Sequence, residues 1–154
     1  MNNYQRTAAW LHACGKQSTD PGHLSVQIGC HIEEFVEFLD QVALEDHGLE
    51  AGLSGSRLVV AADLLEMVAY LIKRGILTAS IPKENQERAL DALCDMEVTG
   101  NGVAYLAGFD KEGADQAVLA ANEAKLVDGK PVILEGGKIG KPPGWKAADL
   151  SPFV

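Results

Sequence analysis

Two acidic clusters in separate helix-like segments carry the residues best suited to chemistry. The first is Glu33-Glu34-x-x-Glu37, and the second is Asp91-x-x-x-Asp95. Residues three or four apart lie on one face of a helix, about 5–6 Å from each other, so each cluster spans about one turn. Carboxylate oxygens are the ligands that a hard divalent cation such as Mg²⁺ prefers. If the two helices are antiparallel neighbours, the five carboxylates predict a shared cation site.

The glutamate cluster also has an ordinary explanation. An acidic run on a helix is commonly a solvated face. On a helical wheel the three glutamates fall nearly opposite the apolar stripe formed by Ile28, Phe35, Leu39 and Val42. This pattern predicts that they face away from the core, so a site there needs a cover from another helix or a second subunit.

The aspartate cluster lies in a much more apolar segment. Between Ala89 and Ala107, the only charged side chains are Asp91, Asp95 and Glu97. We expect a helix this apolar to be buried, and an ionised carboxylate is costly to bury without a cation, a metal or a proton. Metal binding is the favoured interpretation, and an ion pair with a base on another helix, such as Lys73, is the alternative.

Five helix-like segments position these clusters. They are residues 3–14, 23–45, 56–74, 84–107 and 112–126. Apolar residues recur at three- and four-residue steps, and short connections are typical of antiparallel neighbours in a bundle. Further on, the stretch PVILEGGKIGKPP predicts a small β-hairpin and an extended tail. The sequence therefore predicts an all-α antiparallel bundle as a single domain over residues 1–154, with the hairpin and tail occupying about residues 127–154.

The fourth segment also predicts self-association. It is apolar around nearly its whole circumference, so we expect a homodimer or a homotetramer whose interface covers it. Gly100 and Gly102 lie inside this segment. Because glycine costs about 1 kcal/mol relative to alanine in a helix interior, they indicate either close approach of another backbone or a local break.

Composition excludes several classes of partner. The formal net charge of −9 argues against a nucleic-acid-binding surface. Residues 1–124 carry a net charge of −11 and residues 125–154 a net charge of +2, so the basic C-terminal part is suited to an anionic ligand. The apolar run from Leu58 to Ile72 is too short to span a bilayer, so we expect no membrane role. Three cysteines without a C-x-x-C pair favour a reducing cytoplasm.

The acidic motifs resemble those of a known family. A helix with E-E-x-x-E, followed after an intervening helix by an acidic turn ending in Asp95, is similar to the all-α nucleoside triphosphate pyrophosphatases of the MazG type. The usual second motif there is E-x-x-D. In this chain Ala92 occupies the Glu position, and Asp91 lies one residue earlier.

The C-terminal part extends this resemblance. It carries N-E-A-K at 122–125, D-G-K-P at 128–131, G-K-I-G-K-P-P-G-W at 137–145 and D-L at 149–150. This series resembles the phosphoribosyl-ATP pyrophosphohydrolase-like branch of the superfamily. The resemblance covers roughly residues 24–150.

The resemblance implies a reaction and a metal. The reaction is hydrolysis of a nucleoside triphosphate or related nucleotide between its α- and β-phosphates, giving a monophosphate and pyrophosphate. The implied cofactor is Mg²⁺, with Mn²⁺ as a second candidate. Glu34, Glu37 and Asp95 are the implied ligands, and Asp91 replaces the missing glutamate. Glu33 is the candidate to orient or deprotonate the attacking water.

The resemblance also implies substrate contacts. Asn122 and Lys125 are the implied phosphate contacts and Lys141 is implied to help close the tail over the ligand, although a lysine near a helix C-terminus or a glycine turn is often merely solvated. Trp10, Trp145 and Tyr105 are candidates to stack on a base, with a core or interface position as the alternative. A different class of function is a non-catalytic nucleotide-binding protein or helical oligomeric adaptor, which the alanine in the second motif favours.

Overall fold

The computed structural model describes residues 1–18, 20–42, 53–133 and 139–154, with the backbone alone for residues 53–58. The described residues form five α helices: α1 (Asn3–Ala13), α2 (Pro21–Leu39), α3 (Leu53–Lys73), α4 (Gln86–Ala107) and α5 (Lys111–Glu123). Short 3₁₀ turns cover Lys83–Asn85 and Ser151–Phe153, and a hairpin pairs β1 (Leu126–Val127) with β2 (Lys130–Pro131). The predicted class, all-α with a small β-hairpin, is confirmed.

The described chain divides into two compact units. One combines Met1–Gln17 with Pro82–Val154, and the other is Ser18–Ile81. Helices α2 and α3 therefore make up the second unit, whereas α1, α4, α5, the hairpin and the tail belong to the first. The expectation of a single domain stays a prediction. No helix among the described residues is both long and apolar enough to cross a membrane.

Helix α2 begins two residues earlier than the apolar pattern predicts. The Asp20 side chain accepts hydrogen bonds from the backbone N–H groups of Gly22 (2.8 Å) and His23 (3.0 Å), and Pro21 occupies the first turn. An acidic N-cap followed by proline is a favoured helix start. The helix ends at Leu39, so its predicted extension is wrong over residues 40–42, and residues 43–45 lie outside the described residues.

Small side chains form the contact between α2 and α3. Ser25, Gly29 and Val36 are the buried residues of α2. A Cβ atom at Gly29 would lie 3.1 Å from both Ile72 Cγ2 and Lys73 Cγ. The glycine therefore lets the two helix backbones approach more closely than a larger residue would allow.

Two larger apolar residues that the wheel assigns to the core face, Phe35 and Val42, are exposed, and Val42 lies beyond the end of α2. The assignment is wrong for these two residues. A wheel ranks positions by hydrophobicity, whereas the close approach of α3 at Gly29 depends on small size. The Ser25 hydroxyl at this contact accepts a hydrogen bond from the backbone N–H of Ala79 (2.8 Å).

Helix α1 packs against α5 through polar side chains. The Arg6 guanidinium donates to both carboxylate oxygens of Glu123, each at 2.8 Å. Gln116 donates to Asn3 (2.9 Å) and accepts from Arg6. The C-terminal 3₁₀ turn also lies against α5, since the backbone N–H of Asp110 donates to the Phe153 carbonyl (2.9 Å). Helix α1, near the N-terminus, and the 3₁₀ turn at the C-terminus therefore both pack against α5.

Helix α4 is exposed along almost its whole length. Its only buried residue is Ala104, and its exposed side chains include Leu90, Val98 and Leu106, the last 85% exposed. The predicted burial of this helix is therefore wrong for the chain by itself. The helix runs unbroken through Gly100 and Gly102, and a Cβ atom at either would meet no described atom within 4 Å.

The hairpin after α5 is set by an Asp-Gly turn. Asp128 has φ 51° and Gly129 has φ 73°, the left-handed values that a type I′ turn requires. The hairpin predicted further on is present in part, because Ile133 forms a bridge with Ile139 and the Gly140 N–H donates to the Val132 carbonyl (2.6 Å). Its Gly-Gly turn lies outside the described residues.

Candidate functional site

The glutamate cluster lies on the second half of α2. Glu33 forms an ion pair and a hydrogen bond with the ammonium group of Lys73 on α3. Glu34 and Glu37 are exposed. The expectation that all three glutamates face away from the core is therefore wrong for Glu33. Gly29 lies one turn before it and brings α3 close, so the next residue on that side of α2 meets Lys73.

The aspartate cluster lies on α4, and both of its side chains are exposed. The expected burial of Asp91 and Asp95 is wrong for the chain by itself. The hypothesis of metal binding therefore rests on the one-turn spacing of the two carboxylates and not on a cost of burying them. In the described part of the chain, neither carboxylate forms an ion pair, and Lys73 pairs with Glu33 instead. Thr99 donates to the backbone carbonyl of Asp95 (2.8 Å), not to its carboxylate.

The two clusters belong to different compact units, the glutamates to Ser18–Ile81 and the aspartates to the other. Among the residues that the structure describes, no three His, Cys, Asp or Glu side chains are arranged to hold a metal ion. The donor type does fit a hard cation, because each cluster offers exposed carboxylate oxygens on one helical turn. The shared ligand set stays a prediction.

The implied substrate residues come together at the C-terminal end of α5. Lys125 donates a hydrogen bond from Nζ to Asn122 Oδ1 (2.8 Å). Its Nζ also lies 5.9 Å from the ring centroid of Trp10 and 5.3 Å from that of Trp145. Lys141 Nζ lies 4.8 Å from the same Trp145 centroid. We call these five residues the lysine–tryptophan cluster.

Two contacts hold Trp145 in this cluster. Its indole N–H donates to the Ala121 carbonyl (2.7 Å), and its backbone N–H donates to the Pro142 carbonyl (3.0 Å). Gly144, at the third position of that turn, has φ 79°, as a type II turn requires. The tail therefore returns to the last turn of α5, where Trp145 lies near both Lys125 and Lys141.

Charge at this end of α5 is set by Arg6 as well as by the lysines. The hydrogen bond from Arg6, with a smaller contribution from its charge, holds the pKa of Glu123 below its ordinary value of 4.5, while burial opposes the shift. Glu123 is therefore ionised at neutral pH and is engaged by Arg6. The carboxylate beside Asn122 is thus bound to α1.

Three residues of this region have roles that the sequence did not suggest. Trp10 and Trp145 contact lysines, whereas the sequence offered base stacking or the core. For Trp145, the preceding Pro-Pro-Gly was the available signal, since it marks a turn that reverses the tail. Arg6 had no such signal, because it is separated from Glu123 by 117 positions.

Comparison with known proteins assigns no family to this chain. No protein-family model, no curated protein and no solved structure matches it.

Proposed function

We propose that this protein hydrolyses a nucleoside triphosphate or a related nucleotide to a monophosphate and pyrophosphate, with Mg²⁺ or Mn²⁺ as cofactor. The observation that carries the proposal is the lysine–tryptophan cluster. It contains the three implied substrate-binding residues. Lys125 is hydrogen-bonded to Asn122, and Lys125 and Lys141 both lie near Trp145, although they come from a helix end and a distant tail. In a chain with a net charge of −9, such a gathering of ammonium groups favours an anionic ligand.

The acidic clusters support the cofactor. Glu34 and Glu37 are exposed one turn apart on α2, and Asp91 and Asp95 are exposed one turn apart on α4. We propose these four carboxylates as the metal ligands, with Asp91 in place of the glutamate missing at Ala92. A divalent ion held there would supply positive charge against the negative charge of the phosphates.

The remaining roles fall to side chains whose contacts are known. Lys125 and Lys141 bind phosphate oxygens, and Asn122 orients Lys125 through the 2.8 Å hydrogen bond. Glu33 receives the proton of the attacking water, and its ion pair with Lys73 fixes the direction of its carboxylate. Water adds at the α–β anhydride, the bridging P–O bond breaks, and pyrophosphate leaves.

The exposed apolar surface supports a second copy of the chain as partner. Leu90, Val98 and Leu106 of α4 are each more than half exposed, which a homodimer or homotetramer interface would cover. Analytical ultracentrifugation tests this directly, and a monomer at micromolar concentration would contradict it. We propose a cytoplasmic location, because no disulfide joins Cys14, Cys30 and Cys94.

The catalytic test compares nucleoside triphosphates in the presence of Mg²⁺ while pyrophosphate is detected. Asp95→Asn is expected to lower pyrophosphate release by about 100-fold or more, since a ligand is lost. Glu97→Gln is the matched control, because it removes an exposed carboxylate from the same helix outside the proposed ligand set. Release of orthophosphate alone would contradict cleavage between the α- and β-phosphates.

A non-catalytic nucleotide-binding protein is the competing function, and Ala92 is the observation that favours it. Calorimetric titration with Mg²⁺ separates the two. The catalytic proposal expects wild type to show metal-dependent heat that Asp95→Asn lacks. Identical heats for the two proteins, together with intact nucleotide binding, would favour the competing function.

A further inference from the structure

Two positive charges lie close to the Trp145 ring. Lys125 Nζ lies 5.3 Å and Lys141 Nζ 4.8 Å from its ring centroid, both within the range in which an ammonium group is attracted to an indole face. Because both nitrogens are about 5 Å from one point, they are at most about 10 Å apart. Trp10 lies 5.9 Å from Lys125 Nζ and adds a second aromatic ring.

The Trp145 ring is fixed independently of the lysines. Its indole N–H is bonded to the Ala121 carbonyl at 2.7 Å, and its backbone belongs to the turn that begins at Pro142. A lysine side chain has several rotatable bonds and is ordinarily mobile at a surface. A fixed ring that attracts both ammonium groups therefore restricts where their charges lie.

Two ammonium groups within about 10 Å of each other suit a ligand with two adjacent phosphates. Glu123, the carboxylate next to Asn122 on α5, is engaged by Arg6 at 2.8 Å. Lys141 forms no ion pair in the described part of the chain. Because Lys141 is exposed, at least one of the two ammonium groups near the Trp145 ring is accessible to a ligand from solvent.

We infer that Trp145 is a positioning residue that holds the ammonium groups of Lys125 and Lys141 for two neighbouring phosphates, as in pyrophosphate or the end of a nucleotide polyphosphate. The nucleotide form of this ligand rests on the proposed function. Binding of free pyrophosphate does not, so the two are tested separately.

The experiment is calorimetric titration of the full chain with inorganic pyrophosphate. Trp145→Leu removes the aromatic face and is expected to weaken binding about tenfold, or about 1.4 kcal/mol. Trp145→Phe keeps an aromatic face but loses the indole N–H that donates to the Ala121 carbonyl, so it is expected to recover only part of the affinity lost in Trp145→Leu. Tyr4→Leu is the control, since it removes an aromatic residue that is 81% exposed elsewhere in the same unit.

Lys141→Met tests the same inference if Trp145→Leu fails to fold. Lys141 is exposed, and its replacement leaves the hydrogen bond from Trp145 to Ala121 intact. It is expected to weaken pyrophosphate binding about tenfold and to flatten its dependence on salt. Wild-type affinity in either Trp145→Leu or Lys141→Met would overturn the inference, as would equal losses in Trp145→Leu and Trp145→Phe.

The outcomes for the two proposals are distinguishable. If the variants lower pyrophosphate affinity as expected but no nucleotide releases pyrophosphate, the positioning role holds and the proposed hydrolysis fails. If nucleotides are hydrolysed and Trp145→Leu changes neither the pyrophosphate Kd nor the KM, the hydrolysis holds and the positioning role fails.

Discussion

Replacing Gly29 by alanine tests the close contact between α2 and α3. The added Cβ would lie 3.1 Å from Ile72 Cγ2, 3.1 Å from Lys73 Cγ and 3.2 Å from the Ala69 carbonyl oxygen. Alanine gains about 1 kcal/mol over glycine in a helix interior. Overpacking costs about 1–3 kcal/mol, and the backbone oxygen of Ala69 cannot rotate away as a side chain can. We expect a net loss of about 1 kcal/mol in the free energy of unfolding.

The same substitution at Gly100 provides the matched control. A Cβ there would meet no described atom within 4 Å, so the helix-propensity gain of about 1 kcal/mol is unopposed. Urea unfolding followed by far-ultraviolet circular dichroism is expected to move in opposite directions for the two variants. Equal stabilisation by both would refute the close contact at Gly29. Destabilisation by Gly100→Ala would show that a partner covers α4 at this point in solution.

Three further predictions concern single contacts of the first unit. Arg6 lowers the pKa of Glu123, so this pair stabilises the fold above about pH 4.5 and loses that effect as acid protonates the carboxylate. Glu123→Gln should therefore make the melting temperature less dependent on pH between about pH 3 and 7. Cys94 is exposed, whereas burial raises the pKa of the Cys14 thiol, so Cys94→Ser should abolish the fast phase of disulfide-reagent labelling. Gly113→Ala places a Cβ 2.6 Å from Phe153 Cε1, which should displace the C-terminal turn and speed hydrogen exchange at the Asp110 amide. Unchanged acid profiles, labelling rates or amide exchange, respectively, would contradict these three expectations.

The helices of this fold were predictable because their apolar residues recur with a period near 3.6. Their packing faces were not. The contact of α2 with α3 includes Gly29, whose small size matters more than its hydrophobicity, and a wheel weighted by hydrophobicity selects Phe35 instead. Apolar character also predicted that α4 should be covered, but it does not specify whether the cover comes from the same chain.

The candidate site was predictable where it depends on local spacing. Asn122 and Lys125 are one helical turn apart, and their hydrogen bond follows from that spacing. The approach of Lys141 and Trp145 depends instead on a turn and on a hydrogen bond to Ala121, which are tertiary features. Spacing along the chain does not encode such contacts, so the lysine–tryptophan cluster emerges only from the folded structure.

The alanine at position 92 changes the geometry of the second acidic motif more than its charge. At about 100° per residue, position 92 lies about 60° to one side of Asp95 on α4, whereas Asp91 lies about 40° to the other side. Both positions are within one turn of Asp95, so Asp91 supplies the charge that a glutamate would supply. It does so from the opposite flank and with a side chain shorter by one methylene group. Because both aspartates are exposed on an unbroken helix, the metal site that we propose would place its cation further around α4 than a glutamate at position 92 would.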